Sequence, residues 1–422
     1  MRALAALALC ACSGTTGTVK LDLTTAPGSH VLDAVDRLRV TLAGQVIEAT
    51  RTSSGFDLAL ELDATGAAGA FVIEGFDAAG TLVACGQSPR FPISAINAHV
   101  VVYVAAPRSI AVAPGALSAA RSGVAASALE SGAVIAGGRD AAGAPSASIA
   151  VYNAYDHTFV EGVPLPAPRA GLAIEATSSG QVYLFGGTGA DGNPTGTLWR
   201  YDTTIAPNGA AFEISDDPGF ARSGQLILPL ADRFLITGTP ALELVTTRPA
   251  ARTDLPGLPA AGAVTISGGT HFAIFAGAPI VRFRDAASDT VHGSAPLDAT
   301  AHGLADGRVV FFGGGDPGSR DAIVVDADGT VTVIPDALAT PRARPTVAAT
   351  ARQVLVAGGT DAAGAPIGSA ELFDAVSLAP LAILPSTARS GGFAIALPND
   401  QILLGGGAPA AATLELYTPE PP

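Results

Sequence analysis

Two decapeptides of this chain differ at a single position. AGGRDAAGAP begins at Ala136 and AGGTDAAGAP at Ala357. A turn that long has no local reason to be rewritten unless the architecture around it is also rewritten, so the chain is read as a set of copied units. Glycine pairs, or degraded pairs, close short apolar runs at Gly137, Gly186, Gly238, Gly277, Gly313, Gly358 and Gly405. The spacing is about 45 residues, within the range of propeller repeats. The apolar runs themselves (AVIAGG, VYLFGG, VLVAGG, QILLGGG) are too short for helices and end at glycine, which suits strands.

Two further features hold register with the glycines. An arginine lies 16 or 17 residues before the first glycine of five units: Arg121, Arg169, Arg222, Arg342 and Arg389. An aromatic lies 14 residues after the second glycine in three of them: Tyr152, Tyr201 and Phe373. The phrase ARSG recurs at Ala120, Ala221 and Ala388. This pattern resembles the kelch repeat, most clearly from Arg169 to Asp202, with Phe159 standing where the kelch tryptophan is missing. The resemblance spans 109–418 and implies a β-propeller of four-stranded blades, seven by this count and six if one unit is misread. The segment after Ser109 reads as a stray fourth strand, and the chain ends on a third strand. Strand 109–114 is therefore expected to pair with the C-terminal blade, Ile110 to Ala113 against Leu414 to Tyr417, which would protect two sheet edges.

Before the repeats, 19–106 carries six or seven alternating runs separated by turn residues. It is expected to form a small β-sandwich, immunoglobulin-like or transthyretin-like. The fold class expected for the whole chain is all-β.

The N-terminus reads MRALAALALCACSG. Arg2 followed by a nine-residue apolar run has the layout of an export signal and is too short to span a bilayer. Leu9-Cys10-Ala11-Cys12 resembles the bacterial lipobox. The resemblance implies a leader over 1–11, acylation of Cys12, a tether over 12–18 and attachment to the membrane. Ser13 after the lipid-bearing cysteine favours the outer membrane by analogy with enteric bacteria. The alternative is a plain secretory signal and a secreted protein. Cys10 would leave with the leader, so Cys85 is the single remaining thiol, a small buried strand residue unable to form an internal disulfide or a metal cluster.

The net charge is −14, Lys20 is the one lysine, and no basic cluster occurs, so no nucleic-acid partner is expected. The six histidines show no metal-ligand spacing, and DADG at Asp326 reads more simply as a hairpin turn than as a calcium loop, so no metal and no cofactor are expected. Copper radical oxidases use a similar propeller, but their tyrosine–cysteine crosslink has no cysteine available within these repeats. The candidate binding residues are the register arginines, Arg121, Arg169, Arg222, Arg342 and Arg389, which could fork carboxylates or sugar edges of a protein or glycan. The competing reading is that each caps carbonyls or a carboxylate of the propeller itself. The loops 139–147, 188–196 and 360–368 are the second candidates. The expected function is non-catalytic binding of protein or glycan by a lipid-anchored envelope protein. The alternative is a carbohydrate-active enzyme of lyase, epimerase or sialidase type.

Overall fold

A computed structural model describes residues 16–421 except 53–55, 57–60, 64–66, 93–97, 178, 206–207, 217, 231–232, 239–240, 246–251, 256–262, 267–271, 285–286 and 316–317. The leader and Cys12 lie outside the described residues.

From Ala125 onward the chain forms antiparallel four-stranded blades, the first six each built from four consecutive strands and the last two joined in one sheet. Their innermost strands are Ala125–Leu129, Ala173–Ala176, Ile227–Leu230, Ala263–Ile266, Thr300–Gly303 and Thr346–Ala349, with the second half of Pro380–Ala396 as the seventh. Each inner strand lies against the next, and the seventh lies against the first, so seven blades close a ring. Strand Pro380–Ala396 is long because it serves two blades. Its start pairs with Ile367–Asp374 as the outer strand of the sixth blade, and its end pairs with Ile402–Ala408 as the inner strand of the seventh.

The outer strand of the seventh blade is supplied by Ser109–Arg121, from the other end of the repeat region. Ser109 faces Thr418, Ile110 faces Tyr417, Ala111 faces Leu416 and Val112 faces Glu415, antiparallel. Beyond Val112 the register breaks, and the strand runs on to Arg121 at the start of the first blade. One segment thus finishes the last blade and leads into the first.

The sequence markers coincide with a repeated corner. Gly137 and Gly138 have φ of 62° and 92°, and Gly358 and Gly359 of 63° and 90°, values that L side chains rarely adopt. A Cβ on Gly137 would sit 2.6 Å from the Arg169 carbonyl oxygen, and one on Gly359 2.6 Å from that of Ala343. The same corner in the seventh blade uses Gly406 and Gly407, at φ 61° and 81°. It falls one residue later than the marker Gly405, which stays in the strand opposite Phe393.

The N-terminal region is a sandwich. One sheet orders Gln45–Thr50, Arg37–Leu42, Val72–Phe76 and Leu82–Gln87, and the other orders Glu61–Asp63, Thr16–Thr24 and Ala98–Tyr103. Leu38, Val40, Ile73 and Ala84 from the first sheet pack on Val100, Val102 and Val104, which are on or just after the second. Strand Gln45–Thr50 escaped the sequence reading because it is polar and largely exposed. It follows a turn at Ala43 and Gly44, both with positive φ. Strand Thr16–Thr24 pairs with Glu61–Asp63 from Thr16, so the tether expected over 12–18 is shortened by three residues.

The sandwich is mounted on the first and seventh blades. The Tyr103 N–H donates to His157 Nε2 at 3.1 Å. That bond requires a neutral ring with its hydrogen on Nδ1, which lies 2.6 Å from the Tyr152 hydroxyl. Burial pulls His157 down to about 4, consistent with the neutral form. Cys85 is buried, and its Sγ reaches the Pro419 carbonyl at 3.3 Å, so the last thiol lies at the junction of the two parts.

Ring closure makes a testable contrast. Leu416 is fully buried on the closing ladder, whereas Val112, one position along the same pairing, is 38% exposed. Leu416→Ala should cost about 2–5 kcal/mol in urea denaturation. Val112→Ala should cost under about 1 kcal/mol.

Candidate functional site

The five register arginines are not gathered at a ligand-facing rim. Arg121 and Arg342 are 1% and 0% exposed, and Arg169 and Arg389 are also buried. Their guanidinium groups are turned onto the chain. Arg121 Nη1 donates to the carbonyls of Gly137 at 2.8 Å and Ser148 at 3.0 Å. Arg342 Nη1 repeats this with Gly358 at 2.9 Å and Ser369 at 3.0 Å. Arg222 Nη1 reaches the Thr237 carbonyl at 3.3 Å, where the third unit has Thr in place of the first glycine.

The main-chain carbonyls of the same arginines bind the preceding blade. Gly138 N–H donates to Arg169, Gly187 N–H to Arg222, Gly314 N–H to Arg342 and Gly359 N–H to Arg389, all at 2.9–3.0 Å. Arg169, Arg222, Arg342 and Arg389 therefore hold their own blades by side chain and the neighbouring blade by backbone. Burial lowers the pKa of Arg121, Arg169, Arg342 and Arg389, the expected direction for a desolvated cation.

Charge balance comes from a position that sequence reasoning passed over, two residues before the third-strand aromatic. Glu371 there accepts from Arg342 Nη2 at 2.7 Å and from the Ala339 and Thr340 N–H groups. Glu415 accepts from Arg389 and from the N–H and hydroxyl of Thr387, two residues before that arginine. In the second blade the position is Trp199, and the Arg169 guanidinium carbon lies 4.7 Å from its ring centre. In the first blade it is Ala150, and Arg121 Nε and Nη2 are buried without a hydrogen-bond partner. The signal was present: Glu-Leu-Phe and Glu-Leu-Tyr end the third strands at 371–373 and 415–417.

The loops after the glycine pairs are also tied to themselves. Asp140 Oδ1 accepts from the Ala142 and Ala144 N–H groups at 2.9 Å, and Asp361 Oδ1 from Ala363 and Ala365 at 2.9 Å. The shared decapeptide is thus one self-capped hairpin used twice. In 188–196, Asp191 Oδ1 accepts from the Asn193 N–H at 3.0 Å. At DADG the Asp326 N–H donates to the Thr330 carbonyl at 2.9 Å, closing a hairpin turn. Among the described residues no three His, Cys, Asp or Glu side chains gather in a metal-binding group.

The concave feature of the propeller is a cavity of about 480 Å³ on the inner strands. Most of its described lining side chains are apolar, with Leu172, Ile227, Leu228 and Phe393 among them, its described polar side chains are Glu175, Gln225 and His302, and polar atoms make up somewhat more than half of the lining surface. Register sets the depth of two of these. Glu175 lies two residues beyond Ala173, which faces Phe185 just before its glycine pair. His302 lies two residues beyond Thr300, which faces Phe312 just before the next such pair. The same layer holds Ser127, Pro229, Thr265, Ala348 and Ile395 in the other blades. Burial pushes the Glu175 carboxyl up to about 7 and pulls His302 down to about 4. Desolvation is the sole cause in both cases, with no neighbouring charge opposing it. Neither residue was singled out from the sequence.

With the ring, the corners and the cavity in place, the chain is a seven-bladed β-propeller carrying an N-terminal β-sandwich. No protein-family model and no curated protein matches the sequence. The chain is similar to a solved structure described as "Structure of YjhT", at 14% identity over 64% of this chain and 99% of that one, with a TM-score of 0.49.

Two outcomes follow from this geometry. Removing one partner of a buried ion pair strands the other, so Arg342→Met should cost about 3–5 kcal/mol by urea denaturation. Adding Glu371→Leu should recover much of that loss. Glu175 has a folded-state value above its ordinary 4.5, so its stabilising effect is present at low pH and is lost as pH rises from about 4.5 through about 7. Between pH 5 and pH 8, Glu175→Gln should therefore gain on the wild type by on the order of 1–3 kcal/mol.

Proposed function

We propose that the protein is a non-catalytic binding protein of the cell envelope, anchored by lipid at Cys12 and using the propeller as its recognition module. The observation that carries the non-catalytic reading is the composition of the axial cavity. Bond-making chemistry on sugars needs converging acids, bases or electrophiles. Among its described lining residues this cavity instead has mostly apolar side chains and two isolated titratable groups, on the second and fifth blades. Its volume and lining are those of a small-molecule site.

The axial cavity is favoured over the loop face as the place of binding. The register arginines and the loop aspartates direct their polar groups at the propeller's own backbone. A protein or glycan partner on the loop face would have to use the remaining exposed edges of those hairpins.

Purified protein incubated with a panel of acidic and neutral oligosaccharides and chromogenic glycosides should show no turnover by mass spectrometry. Turnover that Glu175→Gln abolishes would replace this reading with the enzymatic one. For the anchor, radiolabelled palmitate should be incorporated by cells expressing the wild type and not by cells expressing Cys12→Ser. Labelling retained in that variant would remove the anchor assignment.

A further inference from the structure

The cavity's polar groups share one chemical character. Gln225 Nε2 donates to the Phe185 carbonyl at 2.8 Å, which fixes the amide and leaves Oε1 buried with no hydrogen-bond partner. Glu175 brings a carboxyl, and neutral His302 brings one acceptor nitrogen. Among the described lining residues there is no lysine or arginine to balance an ionised Glu175. The three groups come from the second blade, the approach to the third and the fifth. Two of them stand at equal depth around the axis. Hydrogen-bond acceptors and a potential anion are set among mostly apolar side chains, and each is costly to bury unmatched. The missing partner is a positively charged donor on an apolar body.

Resting on the binding reading above, we propose that the axial cavity receives a small amphiphile bearing a primary ammonium group. The ammonium pairs with Glu175, while the apolar body lies against Leu172, Ile227 and Phe393. His302 accepts the remaining N–H where the ligand reaches across the channel.

The test uses three matched probes, 4-phenylbutylamine, 4-phenylbutanol and 4-phenylbutyrate, titrated calorimetrically into the full chain. The amine is expected to bind at least about tenfold more tightly than the alcohol, the usual advantage of a hydrogen bond to a charged group. The carboxylate should bind most weakly. Glu175→Gln should bring the amine to the affinity of the alcohol and leave the alcohol within about twofold. Ala126→Leu, which fills the cavity, should weaken both. Equal affinities for amine and alcohol in the wild type would overturn the ammonium assignment while leaving the cavity as a binding site. Binding of none of the three, or binding indifferent to Ala126→Leu, would overturn the cavity reading as well. The wild-type comparison decides the first question even if a variant fails to fold.

Discussion

The propeller depends on one repeated exchange of hydrogen bonds. The second glycine of a corner donates its N–H to the carbonyl of Arg169, Arg222, Arg342 or Arg389 in the next blade, and the side chains of Arg121, Arg222 and Arg342 hold the first corner carbonyl of their own blades. Each blade is a small sheet with little to bury alone, so the ring needs a device that fixes neighbours at a constant angle. Glycine is required because the corner takes the left-handed region twice and because the next blade's backbone passes within contact distance of where a Cβ would be. Arginine suits the position because Nη1 of Arg342 serves two carbonyls, 16 and 27 residues away, while Nη2 of the same planar group reaches Glu371. A lysine ends in a single nitrogen and lacks this second donor arm.

A chain of such latches leaves two open edges, and the closing ladder removes them. By drawing Ser109–Val112 onto Glu415–Thr418, the fold makes the first blade's lead-in part of the last blade. This also sets the sandwich in place. Its final strand ends only a few residues before Ser109, and Tyr103 there shares His157 with Tyr152 of the first blade. The buried cluster at this junction draws on the sandwich, the first blade and the seventh: Tyr103, Tyr152, Leu403 and Leu416 belong to one core. Closure and domain mounting are one packing event.

The fold was legible in the sequence because its physics is repetitive. Gly137 and Gly358, Arg121 and Arg342, and Tyr152 and Phe373 answer the same steric and hydrogen-bonding demands, so they recur at fixed offsets. What was not legible has equally physical causes. Strand Gln45–Thr50 lies on the sandwich edge with Val46 exposed and no residue fully buried, so its apolar residues do not mark a core face in the sequence. The seventh corner slid by one residue because GGG offers two overlapping pairs and only the backbone angles choose between them. The arginines were legible as a series but not as to direction. Spacing gives the position of a residue, whereas burial and partner give its role. Glu371 and Glu415, which settle that role, sit at a place where the first and second blades have Ala150 and Trp199.

That last point bears on where function resides in a ring of copies. A residue that keeps register in most blades is held there by what all blades share, which is folding. A ligand site breaks the symmetry, so its residues must be the departures. In the inner-strand layer that holds Ser127, Pro229, Thr265, Ala348 and Ile395, the second blade has Glu175 and the fifth has His302. Neither substitution serves the corner, the arginine latch or the closing ladder. Burial acts against the charged form of both, so each costs stability over part of the pH range. Groups kept at such a cost, without a structural partner to compensate them, are where a propeller of this kind meets a ligand.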